Sequence, residues 1–236
     1  MTQPVVHLWR LLKWGRTLAR HGALKGIERD PNTPAPVRRL ARIARFGARV
    51  PAKPAYADAF QAIGPAAIKL GQTLATRPDL VGDDAAYDLL RLQDQLPPVP
   101  FATICAAMEA SMGRPPSHFF ASIEETPVGA ASIAQVHRAV TTDGRTVAVK
   151  VLRPGVEDDF TRAIDTYQWA AAQVEGMSPE AARLRPRLTV ENFRRWTLRE
   201  LNFRREAASA SELAEAMTAE PDFVVPQIDW ARSTAK

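Results

Sequence analysis

The spacing of apolar positions changes along this chain, from a helical period in its first hundred residues to a period of two near the middle and back again. Over residues 4–25, Val5, Leu8, Trp9 and Leu12 recur at helical spacing. Arg10, Lys13, Arg16 and Arg20 fill the other faces, which predicts a basic amphipathic helix. A Pro-rich break from Asp30 to Pro36 separates it from a second basic helix over 37–49, after which Pro51 and Pro54 break the chain again. Residues 56–76 read as an Ala-rich helical segment with a turn or helix start at Gly64-Pro65. A helix over 83–95 opens on Asp83-Asp84, a pair that suits the positive end of a helix dipole, and stops at Leu96-Pro97-Pro98. A short helix follows over 101–111.

The alternating stretches 136–140 and 145–152 then predict two strands. They are joined by Thr142-Asp143-Gly144-Arg145, in which Asp-Gly is a strong hairpin signal. Helical spacing returns over 157–175, Pro179 and Pro186 punctuate, a long helix is predicted over 188–217 and a strand over 223–228. The pattern therefore predicts an α+β chain: a helical N-terminal extension, then an antiparallel sheet with a long helix. By segment, this is a basic helical stretch over 1–50, a further helical stretch over 51–120 and the mixed part over 121–236.

Composition narrows the picture. With 236 residues, 46% of them hydrophobic, the chain can bury a sizeable core. Its single cysteine, Cys105, excludes an internal disulfide framework and reads as core packing in an apolar helical run. His7, His21, His118 and His137 are scattered without ligand partners, so no metal site is predicted. No apolar run reaches the roughly 18 residues of a membrane span. Charge is uneven: residues 1–50 carry eleven Lys and Arg against Glu28 and Asp30, a balance of +9 in a chain of net +5. Together with Trp9 and Trp14, that balance fits either binding at an anionic membrane surface or an ordinary solvated helix docked on its own domain. Nucleic acid is not expected as a partner, because no basic stripe or groove-reading motif recurs in the body.

Candidate chemistry centres on Val147-Ala148-Val149-Lys150. A phosphate-covering turn, a strand pair and then a lysine is the order in which protein-kinase-like lobes build a nucleotide site. The turn would be Gly129-Ala130-Ala131-Ser132-Ile133-Ala134-Gln135-Val136, preceded by Val128, with alanine in place of the second and third glycines of the kinase pattern. Alanine keeps such a turn small but stiffens it. Lys150 needs an anion to hold it extended, and Glu200 is the expected partner; the alternative is that Glu200 pairs with Arg204 one turn on. By composition alone, Lys69-Leu70-Gly71-Gln72 is a surface lysine on an Ala-rich helix beside a glycine that permits close approach. Neither a His-Arg-Asp-type catalytic loop nor an Asp-Phe-Gly metal motif follows Lys150.

Several unusual motifs occur together in one order. They are Ile68-Lys69-Leu70-Gly71-Gln72, Thr76-Arg77-Pro78-Asp79-Leu80, Leu92-Gln93-Asp94-Gln95-Leu96-Pro97-Pro98, Pro127 through His137, Val147 to Lys150, and Glu200-Leu201-Asn202-Phe203-Arg204-Arg205-Glu206-Ala207. In this the chain resembles the UbiB family of atypical protein-kinase-like ATPases required for ubiquinone biosynthesis, members of which also carry the label 2-polyprenylphenol 6-hydroxylase. The resemblance covers most of the 236 residues and implies part of a kinase-like small lobe without the catalytic large lobe. It further implies ATP or ADP with Mg2+ in the full-length protein, ubiquinone-biosynthesis proteins or lipid intermediates as partners, and a bacterial cytoplasmic location peripheral to the inner membrane.

On that resemblance Lys69, Gly71 and Gln72 form a regulatory Lys-x-Gly-Gln motif, Ala130 and Ala131 an alanine-rich phosphate loop, Lys150 the nucleotide lysine, and Glu200 the start of a Glu-x-Asp motif. Two departures stand out. Gly129 occupies the usual start of the alanine run, which would restore some flexibility, and Asn202 replaces the motif aspartate. With no catalytic or metal-binding residues of its own, this chain is expected to be the N-terminal part of a longer protein or a prematurely ended product, inactive alone. The alternative is a non-catalytic membrane- or partner-binding helical module.

Overall fold

The structure is a computed structural model and describes residues 4–26, 33, 35–93, 97–220 and 222–236. Its α-helices, in chain order, are α1 (Pro4–Arg20), α2 (Ala35–Arg45), α3 (Tyr56–Ile63), α4 (Pro65–Ala75), α5 (Pro78–Val81), α6 (Asp83–Leu89), α7 (Phe101–Met112), α8 (Val156–Glu175), α9 (Pro179–Arg183), α10 (Pro186–Glu200) and α11 (Phe203–Ala216). Four strands, β1 (Phe120–Ile123), β2 (Gly129–Ala130), β3 (Ala134–Thr141) and β4 (Thr146–Leu152), lie between α7 and α8. The chain divides into two compact units: a helical one of Met1–Gln95 with Asp158–Val190, and a sheet-bearing one of Leu96–Glu157 with Glu191–Lys236. Most of the predicted Pro-rich break, and the end of the helix predicted to run to residue 95, lie outside the described residues.

The helical unit is packed through small residues. Ala19, Leu24, Ala41 and Ala44 form one buried cluster. Gly15 lies so close to Ala44 that a Cβ there would stand 3.2 Å from the alanine methyl. Arg16 also reaches the Phe46 carbonyl, just after α2, at 3.4 Å. The helix read over 56–76 breaks at Gly64, whose φ of 125° only glycine adopts readily, and Pro65 then starts α4. Within this unit α1 is fastened to α8 by polar contacts: Arg10 donates to the Arg162 carbonyl and the Thr166 hydroxyl, both at 2.6 Å. His7, buried, lies 3.1 Å from the same hydroxyl and stacks on Trp169.

In the sheet unit, β3 is central. β4 runs antiparallel along one side, and β1 and β2 lie end to end along the other. Gly144, with φ of 86°, closes the predicted hairpin. Alternation along β3 and β4 sends Gln135, His137, Ala139 and Thr141 with Val147, Val149 and Val151 to one face. There Ile104 and Met108 of α7 complete a core with Phe120, Ala139 and Val151. Val136, Ala148 and Lys150 lie on the opposite face.

Two predicted elements differ. The helix expected over 188–217 is broken at residues 201–202, because the Asn202 side chain accepts the Arg204 N–H at 3.1 Å and caps a new helix, α11. Residues 223–228 form no strand: Val224 is 87% exposed and no ladder neighbour pairs with the segment.

Candidate nucleotide site

The lysine site is built on one rung of the sheet. Gly129 pairs with Val136, and Val136 pairs with Lys150, so the turn strand, the central strand and the lysine strand align at the same level. Directly opposed residues share a face, which puts Lys150 beside Val136, with Gly129, a position without a side chain, on the other side of Val136. Gly129 itself is paired in β2, and a Cβ there would meet nothing within 4 Å. The flexibility expected of this glycine is therefore not a conformational requirement of the turn. From Ala131 to Ile133 the chain turns back, closed by the Ala131 N–H donating to the Ala134 carbonyl at 2.8 Å. Ser132 is buried in that turn.

Lys150 Nζ donates to both carboxylate oxygens of Glu206, each at 2.7 Å, and stands 4.8 Å from the centre of the Phe203 ring. The expected partner was Glu200, and here the structure corrects the sequence reading. Glu200 ends α10, whereas Glu206 sits in the first turn of α11 and so moves with a different helix. The cap at Asn202 decides this. A single long helix would have left Glu200 as the natural candidate; a helix restarted at Phe203 brings Glu206 to Lys150. The signal was present in the sequence as an N-cap residue, Asn202, in the middle of an otherwise helical pattern. Both charged groups are partly exposed, so the pair is a positioning device rather than a large source of stability.

A second missed feature lies on the core face. Gln135 is fully buried and accepts the Val99 N–H. It also approaches His137 Nε2 at 3.3 Å, while His137 Nδ1 faces the Glu124 carbonyl at 2.8 Å. A carbonyl can only accept, so Nδ1 carries the proton and Nε2 receives the Gln135 amide. Gln135, expected among the phosphate-turn residues, thus points into the core and braces the turn from behind. Cys105 is partly buried on α7; burial first, and Glu125 second, push its thiol above the ordinary value.

Lys69, Gly71 and Gln72 belong to the helical unit. Gly71 is buried where a Cβ would come within 2.4 Å of Leu92 and 2.7 Å of Phe60. Gln72 donates to the Leu92 carbonyl at 2.8 Å. The motif glycine is therefore a packing requirement and the glutamine a tether, with Lys69 half-buried just before them on α4. Trp14, expected with Trp9 at a lipid boundary, instead packs on Tyr167 with ring centres 5.4 Å apart, whereas Trp9 is 65% exposed.

Among the described residues no group of three or more His, Cys, Asp or Glu side chains could hold a metal ion, and Glu206 is already engaged by Lys150. The described residues thus bring together no such set of side-chain ligands for a magnesium ion beside Lys150. No helix among them is long and apolar enough to cross a membrane.

Comparison with known proteins places the chain in a family. Residues 91–236 match the ABC1 atypical kinase-like domain. The chain is 39% identical over 172 residues to a protein named probable protein kinase UbiB from Marinobacter nauticus, covering 73% of this chain and 31% of that protein. A protein of the same name from Aeromonas salmonicida is 40% identical over 171 residues, covering 72% and 31%. The chain thus spans about a third of the length of these relatives. Among solved structures, one described as the complex of Rv3197 with erythromycin from Mycobacterium tuberculosis is similar with a TM-score of 0.51 at 33% identity, over 73% of this chain and 43% of that one. The helical first part and the small antiparallel sheet with its helices are consistent with part of a kinase-like fold, and the chain belongs to the ABC1 atypical kinase-like family.

Proposed function

We propose that the sheet unit holds the phosphates of ATP or ADP as the small-lobe half of a UbiB-type nucleotide site, in a protein that supports ubiquinone biosynthesis at a membrane. The observation that carries this reading is Lys150, extended on β4 by both oxygens of Glu206 and level with the Gly129–Ala131 strand and turn. An ammonium held in that way presents its remaining hydrogen to an anion above the outer face of the sheet. The resemblance to proteins named UbiB supports the ubiquinone role, and magnesium would accompany the nucleotide in the full-length protein. The test is binding of a fluorescent ATP analogue to this chain and to Lys150→Met. Binding that the substitution abolishes supports the reading; equal binding by both chains rejects it.

A second reading, binding at an anionic membrane surface, is favoured by the outer side of α1 and α2. Val5, Leu8, Trp9 and Leu12 of α1 are exposed, as are Leu40 and Ile43 of α2 and Phe46 just after it, the last at 85%. Lys13, Arg16, Arg39 and Arg42 flank them, and no acidic residue occurs among residues 4–26 or 35–49. Co-sedimentation with phosphatidylglycerol vesicles should fall clearly when Trp9 and Phe46 are both replaced by serine, and unchanged binding would remove this reading.

A further inference from the structure

Arg153 lies three residues beyond Lys150, just after β4, and its main chain and side chain converge on the alanine-rich turn. Its backbone N–H donates to the Ile133 carbonyl at 2.8 Å. Its guanidinium Nε donates to the Ala131 carbonyl at 2.8 Å, and Nη2 donates to the Pro97 carbonyl at 3.0 Å. One residue thus holds both ends of the Ala131–Ile133 turn and ties it to residues 97–99, which Gln135 also holds at Val99. The side-chain acceptors are neutral carbonyls, and burial pulls the guanidinium below its ordinary value. A partly desolvated cation with no carboxylate partner among the described residues is costly to keep. What the guanidinium adds over any other side chain is a rigid fork able to reach two carbonyls at once. Among the described residues, the Ser132 and Ile133 amides donate to nothing within the chain, so a turn fixed from behind leaves two backbone donors for an anion.

We propose that Arg153 is a positioning residue of the nucleotide site. It locks the alanine-rich turn in the shape that presents the Ser132 and Ile133 amides, and it couples that turn to the segment 97–99 leading into α7. This rests on the nucleotide reading above. In place of the glycines that let such a turn mould itself around phosphate, this chain uses alanines and an external clamp.

The experiment combines two measurements on the unaltered chain, Arg153→Ala and Arg153→Lys. Hydrogen exchange without nucleotide reads the clamp, and affinity for a fluorescent ATP analogue reads the site, with Lys150→Met as a control that removes the nucleotide contact but leaves the clamp in place. Arg153→Ala should speed exchange over 129–131 and at Val99, the one amide of 97–100, while leaving α7 and the β3–β4 ladder protected, and should weaken nucleotide binding about tenfold, as expected for loss of a hydrogen bond to a charged group. Arg153→Lys keeps the charge but cannot span both carbonyls, so it should speed exchange at Val99 and recover only part of the affinity. Full recovery by lysine would mean that charge alone matters and would overturn the clamp, as would unchanged exchange in Arg153→Ala. Faster exchange with unchanged affinity would overturn the positioning role. If the unaltered chain binds no nucleotide, the reading of the site fails, and the role of Arg153 in it fails too; the exchange data then show separately whether the clamp exists.

Discussion

Gly71 and Lys150 each sit in a distinctive motif, yet the structure keeps them for opposite reasons. Gly71 is buried in the helical unit, and what matters there is the side chain it lacks, because Leu92, Phe60 and Leu89 close over the vacant Cβ position. Lys150 lies on an open face of the sheet unit, and what matters is where its ammonium is held, through Glu206 and over Phe203. A motif residue fixed by packing should fail by unfolding its surroundings. One fixed by an exposed ion pair should fail by losing its ligand with the fold intact.

The largest expected effect is therefore at Gly71. Gly71→Val drives three new heavy atoms into a site closed by the buried leucines Leu89 and Leu92, and should cost about 3 kcal/mol as overpacking. Gly71→Ala should cost less, since the better helix propensity of alanine returns about 1 kcal/mol. Urea unfolding followed by circular dichroism measures both. A valine variant as stable as the original would show that α4 and its neighbours part easily, and the comparison with Lys150 would lose its first term.

Next comes Asn202, which links the helix break to the lysine. Removing its side chain in Asn202→Ala should cost about 1 kcal/mol, the usual worth of an N-cap. It should also loosen the Lys150–Glu206 pair, because Glu206 lies in the turn that the cap starts. Asn202→Asp restores the aspartate of the family pattern and should cap equally well, with a few tenths of a kcal/mol gained from the helix dipole. An alanine variant without measurable cost would place the break in tertiary packing instead.

Smaller again is the stability change at the lysine pair. Lys150→Met or Glu206→Gln should change the unfolding free energy measured in urea by no more than about 0.5 kcal/mol, because both groups are partly exposed and solvent screens them. A loss several times larger would mean that the pair supports the fold, and that Lys150 and Gly71 are alike after all.

What could be read from the sequence follows the same division between local and distant causes. The β3–β4 hairpin was legible because Asp143-Gly144 fixes the turn locally, and the break at Gly64-Pro65 was legible for the same reason. The strand expected over 223–228 failed because β-branched residues such as Val224 and Val225 favour a pleated surface only where a neighbouring strand supplies one. β1 is four residues long and has an irregular register against β3, so it gave little periodicity to read. Glu206 was hidden behind one capping residue. Arg153 could not be found at all, since its side-chain partners are backbone carbonyls far along the chain, which have no side-chain identity to recognise. Residues 129–136 do run from β2 through a turn into β3, but the split between Gln135 facing the core and Val136 facing outward depends on register with β4.

The last way to sharpen the comparison is acid. Asp143 at the hairpin and Asp229 near residue 230 share Arg145 and Arg232 in a closed ring of four charges, with contacts of 2.7 to 3.1 Å. The Thr141 hydroxyl, and then Arg145, pull Asp143 down to about 2. Partial burial pushes Asp229 up, but Arg145 and Arg232 together draw it below the usual range. Both folded-state values are depressed, so the ring's stabilisation is present above the unfolded aspartate value near ~3.9. It fades as pH falls through the folded values, the lower of which is about 2. The packing around Gly71 involves Leu92, Phe60 and Leu89, none of which titrates. Protection of the Arg232 and Ser233 amides, measured by NMR hydrogen exchange, should therefore drop between pH 5 and 2 while the amides of α4 remain protected. Asp143→Asn should show reduced protection of Arg232 and Ser233 already at pH 7, and high salt should act in the same direction, because the ring is solvent-screened. If α4 loosened first, or if Arg232 stayed protected at pH 2, charge would not be what fastens the hairpin to residues 229–232, and packing would have to explain both units.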